Sequence, residues 1–311
     1  MIRRPLALLL AVVVATTSCR RPGRSAPPKA VPVDPGGRLE LRIMSFNVRY
    51  ENGEDRGPRA WHQRIVPAIR MIREESPDVF GVQEARRGQA ADLWASLPDY
   101  GFLGVGRDDG QQSGEYSGIF FRRDRFEPSA SDRGTFWLSG TPETPGSKSW
   151  GNDIPRTATW LRLIDRATQR GFYVFNTHWD HRHQGSREQA ALLLARRIDQ
   201  RAVPTDPVIL LGDFNAVERN PAVAYLSGKR VPLAGREAVW NHPLIDVFQT
   251  RHPAERARTT LHFWKGTRAG TLKVDHILVS GHAEILSATI RDRDQPMLSD
   301  HFPVTARVSF P

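Results

Sequence analysis

The chain has 311 residues, of which 39% are hydrophobic and 25% charged, the composition of a soluble globular protein with one large domain or two ordinary ones. Residues 1–37 carry half of its net charge of +10, so the mild +5 on the remainder favours anionic partners without identifying one. The one cysteine, Cys19, excludes internal disulfide bonds and thiolate metal sites from the body of the protein.

The first 19 residues have the pattern of an export signal. Arg3 and Arg4 precede an unbroken apolar run, Leu6–Ala15, that is too short to span a bilayer as a stable helix. Small residues then lead to Cys19, as in a bacterial lipobox, although Thr16 stands where leucine is usual. We therefore predict a signal peptide over 1–19 and an exported protein, periplasmic or at the cell surface, anchored by lipid on Cys19. The alternatives are plain cleavage of a secretory signal and twin-arginine export.

A tether without a core is expected after the signal. Residues 20–37 contain five prolines and end in paired glycines, which predicts a disordered linker. The folded domain is then predicted over residues 38–311.

The first elements alternate between strand and helix. Leu39–Val48 has alternating apolar residues, which indicates a strand with an asparagine near its exit. Residues 59–75 carry apolar residues at helical spacing, with Pro67 as a kink or helix start. Pro77–Glu84 reads as a buried strand that ends in a carboxylate. This order is typical of α/β folds, which gather polar groups at one edge of a sheet.

The middle of the chain is predicted to be strand and loop. Tyr116–Phe121 indicates a strand, and Tyr116 itself fits either a site residue or a core tyrosine. Pro142–Asn152 is a long polar loop, which leaves Arg156 at the entrance of the next strand. For Arg156 the alternative to an anion contact is a surface ion pair.

Gly171–Asp180 is predicted to be a buried strand with a polar end. The polar residues that follow one another there are His178, Asp180, His181 and His183. They suggest a zinc site, the lining of a substrate pocket, or a cap for the next helix. Ser186 with Gln189 predicts a capping box at the start of that helix.

The stretch Val208–Gly212 is uncharged and largely aliphatic, which predicts a strand buried on both faces. Asp213 and Asn215 follow it two positions apart, so their side chains point to the same side of the strand end. A carboxylate and an amide there suit a hard cation or a polarised water, whereas a β-turn is the alternative. Later strands are predicted over Lys273–Val279 and after Pro303.

Taken together, six motifs resemble the endonuclease/exonuclease/phosphatase superfamily of DNase I-like, metal-dependent phosphoesterases. In chain order they are Ser45-Phe46-Asn47, Gln83-Glu84, Asn176-Thr177-His178, Gly212-Asp213-Phe214-Asn215, Val274-Asp275-His276-Ile277 and Ser299-Asp300-His301-Phe302-Pro303. The resemblance spans residues 45–303 and implies one α/β domain, a four-layer α/β/β/α sandwich of two mixed sheets with helices outside.

The resemblance also implies roles for the polar residues. Asn47, Glu84 and Asp300 would bind Mg²⁺ or Mn²⁺, the cations that oxygen ligands favour. Asp213 would orient or deprotonate the attacking water, and Asn215 would hold the phosphate. His301 would act near the phosphate and would be oriented by Asp275. His178 would stabilise the phosphate oxygens, and Arg156 would contact the phosphate.

The expected function is therefore hydrolysis of a phosphodiester or phosphomonoester by a monomeric enzyme, on a small or lipid-like phosphate. A secreted nuclease is the alternative, less favoured because the charge is mild and no aromatic and basic stripe marks a strand-binding groove. A catalytically inactive binding module would require a broken site, and every expected polar position is present.

Overall fold

The computed structural model describes residues 37–311, which lie in one compact unit. The predicted signal peptide, the lipobox and all but the last residue of the predicted tether lie outside the described residues. Within the described part of the chain, no helix is long and apolar enough to cross a membrane.

Two six-stranded mixed sheets form the centre of the fold. The first has the order β13-β14-β1-β2-β4-β3, with β1 (Leu39–Asn47), β2 (Val79–Arg86), β3 (Tyr100–Leu103), β4 (Glu115–Arg122), β13 (Glu284–Ile290) and β14 (Val304–Phe310). The second has the order β11-β12-β8-β7-β6-β5, with β5 (Phe126–Trp137), β6 (Thr157–Asp165), β7 (Gly171–His178), β8 (Val208–Asp213), β11 (Leu244–Asp246) and β12 (Asp275–Ser280).

Helices pack against both sheets. They are α1 (Trp61–Glu75), α2 (Arg87–Ser96), α3 (Gln184–Asp199), α4 (Pro221–Leu226) and α5 (Val247–Arg251), and a small hairpin is formed by β9 (Val231–Leu233) and β10 (Arg236–Ala238). Of these helices, α1 to α4 cover the outer faces of the sheets, whereas α5 packs its Val247 and Phe248 into the core between them. Parallel pairing occurs between β1 and β2 and between β7 and β8. A parallel pair needs a long crossover, which α1 and α3 provide.

The alternation of side chains along the strands separates three apolar cores. Ile43 of β1 packs between the two sheets, whereas its neighbour Met44 packs under α1 and α2. In the second sheet, Val174 faces the first sheet and Phe175 packs under α3. Because successive residues of a strand point to opposite faces, this division produces four layers, helix, sheet, sheet and helix. The predicted four-layer sandwich is confirmed.

Several local predictions need correction. The capping box predicted at Ser186 and Gln189 is wrong, because α3 begins at Gln184 and Ser186 is buried inside its first turn. Two backbone N–H groups just before that helix instead donate to Asp180 Oδ1. Pro67 lies within α1 and does not start it.

Two strand boundaries also differ from prediction. Strand β2 does not end at Glu84 but continues to Arg86 through an irregularity in its pairing with β4. Lys273 lies before β12, which begins at Asp275. In both cases pairing with a neighbouring strand decides the boundary, and this pairing cannot be predicted from the local sequence pattern.

Candidate active site

Strand ends from both sheets meet at one end of the sandwich. Asp213, the last residue of β8, lies between His178 and Asp275, because the strand register pairs it with both. From the other sheet, Asn47 at the end of β1 donates through Nδ2 to Asp213 Oδ2 at 3.0 Å. The ends of β1, β7 and β12 thus converge on the carboxylate at the end of β8.

Gly212 allows this convergence. Its backbone has φ of +142°, and a Cβ added there would lie 1.9 Å from the carbonyl oxygen of Thr177. Any other residue would push β8 away from β7 and separate Asp213 from His178. The glycine of the Gly-Asp-Phe-Asn motif is therefore required by the close approach of two backbones.

Asp213 is fully buried and surrounded by the side chains predicted to act with it. Its Oδ2 lies 3.5 Å from His178 Nε2 and 3.9 Å from His301 Nε2, and its Oδ1 accepts a hydrogen bond from the backbone of Asn215 at 2.8 Å. Burial raises the pKa of Asp213 to about 7, and the negative charge of Asp275 adds to that rise. A carboxylate in such a position can accept a proton near neutral pH.

The pKa values of the two histidines beside Asp213 are shifted in opposite directions. Burial would lower the pKa of His301, but Asp275, whose Oδ2 lies 2.9 Å from His301 Nδ1, raises that pKa well above the ordinary value. Burial and the positive charge of Arg156 hold the pKa of His178 well below its ordinary value. These opposite shifts favour the charged form of His301, which Asp275 orients, and the neutral form of His178.

Glu84 reaches the site because β2 is bulged. Its φ of 63° is unusual for a non-glycine residue, and it lies where the pairing with β4 shifts between Val82 and Ala85. Such a bulge re-aims a side chain. The Glu84 carboxylate then accepts from Asn47 Nδ2 at 3.0 Å and from the backbone of Tyr50 at 3.2 Å.

The acidic residues of the site form a donor set suited to a hard divalent cation. Two groups, Glu84 with His178 and Asp213, and Asp213 with Asp275 and His301, each bring one ligand atom per residue within 4.8 Å of the others. Burial raises the pKa of Asp300, and the negative charge of Glu84 adds to that rise. A divalent cation would relieve this repulsion, so these residues fit a divalent metal ion, and the choice of Mg²⁺ or Mn²⁺ stays a prediction.

The three predicted ligands take different positions here. Glu84 belongs to one of these groups, whereas Asp300 belongs to neither and lies 3.6 Å from Arg49 Nη1. Asn47 turns its Nδ2 toward the carboxylates, and its Oδ1 accepts from the backbone of Arg49 at 2.9 Å. The assignment of Asn47, Glu84 and Asp300 as metal ligands stays a prediction.

Arg156 is a buried cation with unused hydrogen-bond donors. It is 4% exposed, and its Nη2 lies 3.0 Å from His181 Nδ1. Its Nε and Nη1 have no hydrogen-bond partner among the described residues, and Nε lies 4.0 Å from Asp180 Oδ2. A buried donor without a partner destabilises the protein, so this arrangement fits a bound anion that would accept the missing hydrogen bonds of Arg156.

The other residues left open by the sequence separate into different roles. His181 lines the cleft beside Arg156, while Asp180 accepts from the backbone N–H groups of Arg182 and His183 before α3. Asp180, His181 and His183 are absent from both groups of candidate ligands in the described region. Tyr116 is buried and donates to a backbone carbonyl oxygen, that of Gln111, outside the cleft.

Glu115 and Arg107 belong to the site but were missed from the sequence. They form a double ion pair at the cleft wall, and Glu115 Oε2 lies 3.8 Å from His178 Nδ1. Burial raises the pKa of Glu115 to about 7, although Arg107 opposes the rise. Neither residue follows a buried strand or lies in a motif, so only their tertiary position identifies them.

One cleft of about 520 Å³ is lined by many of these residues, including Glu84, Arg156, His178, Asp213 and His301. It lies within the range of about 300–1,000 Å³ typical of small-molecule sites. The cleft is lined by polar residues from both sheets and by the apolar side chains of Ile154, Leu261 and Phe263.

Comparisons with known proteins agree with this geometry. Residues 44–301 match the Endonuclease/Exonuclease/phosphatase family. The structure is similar to an endonuclease/exonuclease/phosphatase from Bacteroides vulgatus, with 32% identity over 88% of this chain and 100% of that one and a TM-score of 0.78. It is also similar to a mannosyl-6-phosphatase from Bacteroides thetaiotaomicron, with 30% identity over 87% of this chain and 100% of that one and a TM-score of 0.76.

A curated relative is more distant. An uncharacterized protein of Acanthamoeba polyphaga mimivirus is 27% identical over 195 residues, which are 58% of this chain and 68% of that protein. The family consists of phosphoric ester hydrolases that are generally metal-dependent. The matched region covers most of the chain and includes every strand end that forms the cleft, and the chain therefore belongs to the endonuclease/exonuclease/phosphatase family.

Proposed function

We propose that the protein is a divalent-metal-dependent phosphoesterase that hydrolyses a small organic phosphate by direct attack of water. The observation that carries the proposal is the position of Asp213. Its carboxylate is buried between Asn47, His178 and His301 at one end of the cleft. Arg156, whose Nε and Nη1 have no hydrogen-bond partner among the described residues, lines the same cleft.

The residues of the site divide the chemistry of phosphoryl transfer among them. Asp213 would orient the attacking water and accept its proton. His301, held through Nδ1 by Asp275, would donate from Nε2 to an oxygen of the phosphate. His178 and the free N–H groups of Arg156 would stabilise the charge that builds up on the phosphate oxygens.

Asn215 would hold the phosphate. Its Nδ2 donates to the carbonyl oxygen of Trp179 at 3.0 Å, and its left-handed φ of 48° turns it back toward the cleft that it lines. A divalent cation held by Glu84, Asp300 and their neighbours would neutralise phosphate charge and favour departure of the leaving oxygen.

Metal dependence is the direct test of the proposal. Purified protein should hydrolyse p-nitrophenyl phosphate or bis-p-nitrophenyl phosphate with Mg²⁺ or Mn²⁺, lose this activity in EDTA and recover it when metal is added back. Asp213→Asn, prepared in the same way, is the control for contaminating phosphatases. Full activity of metal-stripped protein would overturn the proposal.

The substrate class follows from the cleft and from one relative. The mannosyl-6-phosphatase is 30% identical over nearly all of the folded region, which supports a sugar phosphate as the substrate. A cleft of about 520 Å³ also fits a small molecule better than a nucleic-acid duplex. A panel of sugar phosphates, nucleotides, lipid phosphates and DNA tests this choice, and faster turnover of DNA than of any small phosphate would establish the nuclease alternative.

A further inference from the structure

Phe263 is an exposed aromatic residue at the edge of the catalytic cleft. Its side chain lines the cleft together with Leu261 and Ile154, yet the residue remains 58% exposed. Among the described residues only one other aromatic, Trp94, is similarly exposed, and it does not line the cleft. A large apolar surface left open beside a polar site is a candidate for ligand contact.

The position of Phe263 is fixed relative to the catalytic residues. Leu261 forms a β-bridge with His301, and His262 N donates to Asp300 O at 2.9 Å. Phe263 therefore comes two residues after a direct backbone link to His301. Phe263 and His301 line the same cleft.

The backbone at Phe263 is held in a strained conformation. Phe263 has φ of 50° and Trp264 has φ of 62°, so two consecutive bulky residues occupy the left-handed region. This conformation is unfavourable for side chains other than glycine and persists only where the surroundings enforce it. Such strain concentrates at ligand-binding sites.

Trp264 holds this backbone conformation by packing against two arginines. Its ring lies 5.5 Å from the guanidinium carbons of Arg59 and Arg64. Arg64 is buried and donates to backbone carbonyl oxygens, including that of Leu298 at 2.8 Å and that of Val48 at 2.6 Å. The turn is thus anchored on one side by Trp264 and on the other by pairing with the His301 segment, and Phe263 is presented between the two anchors.

We infer that Phe263 forms the leaving-group subsite of this enzyme and packs against the sugar ring that carries the reacting phosphate. The inference rests on the proposed phosphoesterase function and specifies its substrate class. A rigid aromatic face buries the C–H face of a pyranose ring with little loss of conformational entropy. The ring hydroxyls can then accept hydrogen bonds from the guanidinium groups that line the cleft, such as those of Arg49 and Arg182.

Other leaving groups fit this surface less well. A lipid chain would need a continuous apolar surface, whereas only Ile154, Leu261 and Phe263 are apolar among the residues that line the cleft. Single-stranded nucleic acid is usually held by successive exposed aromatic platforms. Two aromatic residues, Tyr50 and Phe263, line this cleft, and the Tyr50 ring is already covered by the guanidinium groups of Arg49 and Arg86. In a nucleotide the first ring after the phosphate is also a sugar, so adenosine 5′-monophosphate is included in the test to distinguish contact with the sugar from contact with the base.

The test compares a cyclic substrate with its open-chain form. Mannose 6-phosphate and mannitol 1-phosphate, its reduced open-chain counterpart, carry the same phosphate on a six-carbon chain, but only the first has a ring. Phe263→Ala should lower kcat/KM about tenfold for mannose 6-phosphate, mainly through KM, and change it less than twofold for mannitol 1-phosphate. Phe263→Tyr should retain wild-type selectivity, and Trp94→Ala is the matched control at an exposed aromatic outside the cleft.

A second variant separates binding from folding. Phe263→Gly removes the ring and suits the left-handed backbone, so its melting temperature should not fall, whereas its selectivity for the cyclic substrate should be lost. Equal losses for both substrates, or no loss for either, would overturn the subsite. Loss confined to adenosine 5′-monophosphate would overturn the sugar assignment in favour of base stacking. Wild-type protein inactive on all these esters with Mg²⁺ and Mn²⁺ would instead refute the proposed function itself.

Discussion

Asp213→Asn separates the chemistry of the site from the stability of the fold. The substitution keeps the shape of a side chain that is fully buried between His178 and His301 but removes its charge. We expect kcat to fall by about 10²–10⁴, the usual cost of losing a general base, with little change in KM. This loss corresponds to about 3–5 kcal/mol of transition-state stabilisation.

The stability of the same variant should change little. The new amide no longer accepts well from Asn47 Nδ2, which costs about 1 kcal/mol. This cost is offset because the negative charge of Asp213 faces that of Asp275 across the pair of strands, and removing it ends their repulsion. In urea denaturation with EDTA present, the free energy of unfolding should therefore stay within about 1 kcal/mol of wild type.

Asp246→Asn is the matched control at a second buried aspartate. Asp246 Oδ2 lies 2.8 Å from Lys273 Nζ and 2.8 Å from His276 Nδ1, all in the interior. Removing its charge leaves the Lys273 ammonium buried without its closest anion, which costs about 3–5 kcal/mol. We expect this variant to lose stability while its folded fraction keeps kcat within about tenfold of wild type.

The two variants should therefore differ in opposite ways, one losing kcat and the other losing stability. Kinetics at saturating Mg²⁺ and denaturation curves give kcat and the free energy of unfolding for each variant, to be compared with wild type. Wild-type kcat in Asp213→Asn would refute the role assigned to this carboxylate and favour a turn-forming role for the Gly-Asp-Phe-Asn motif. A large loss of stability in Asp213→Asn, equal to that in Asp246→Asn, would refute the reasoning about buried charge.

Three further predictions follow from the same contacts. Asp275→Asn and His301→Ala should each lower kcat, and the double variant should be no worse than His301→Ala within about threefold, since Asp275 acts through His301; additive losses would contradict this. Lys273 and His276 overcome the effect of burial and hold the pKa of Asp246 far below its ordinary value. The stability that Asp246 contributes is therefore full above about pH 4 and is lost as pH falls further. Between about pH 6 and pH 3, the free energy of unfolding should fall more steeply for wild type than for Asp246→Asn. Cys19→Ala should release the protein from the membrane fraction of a Gram-negative host with its activity intact, and an unmodified mature N-terminus found by mass spectrometry would refute the lipid anchor.

The sequence by itself determined the fold class and the identity of most polar groups in the cleft. Buried strands such as Val208–Asp213 are recognisable because a strand covered on both faces must be apolar throughout, so a polar residue directly after it is conspicuous. The same contrast marks Asn47 and His178. Six such motifs in one order sufficed to predict the family and the four-layer sandwich.

The tertiary structure decided which atoms face one another. Local sequence could not show that Asn47 donates to two carboxylates, because its partners Glu84 and Asp213 are 37 and 166 residues away. Nor could it show that Glu84 points into the cleft, since this direction results from a bulge against β4.

Site residues outside the strand ends could not be predicted from the sequence pattern. Glu115 and Arg107 form the cleft wall, and Phe263 forms its exposed edge, yet each lies in a stretch that reads as ordinary strand or loop. Their roles depend on burial, on charge and on a backbone held in the left-handed region by contacts with distant residues. Periodicity records which face of an element is buried, whereas a site is defined by distances between elements, and only the folded chain determines those distances.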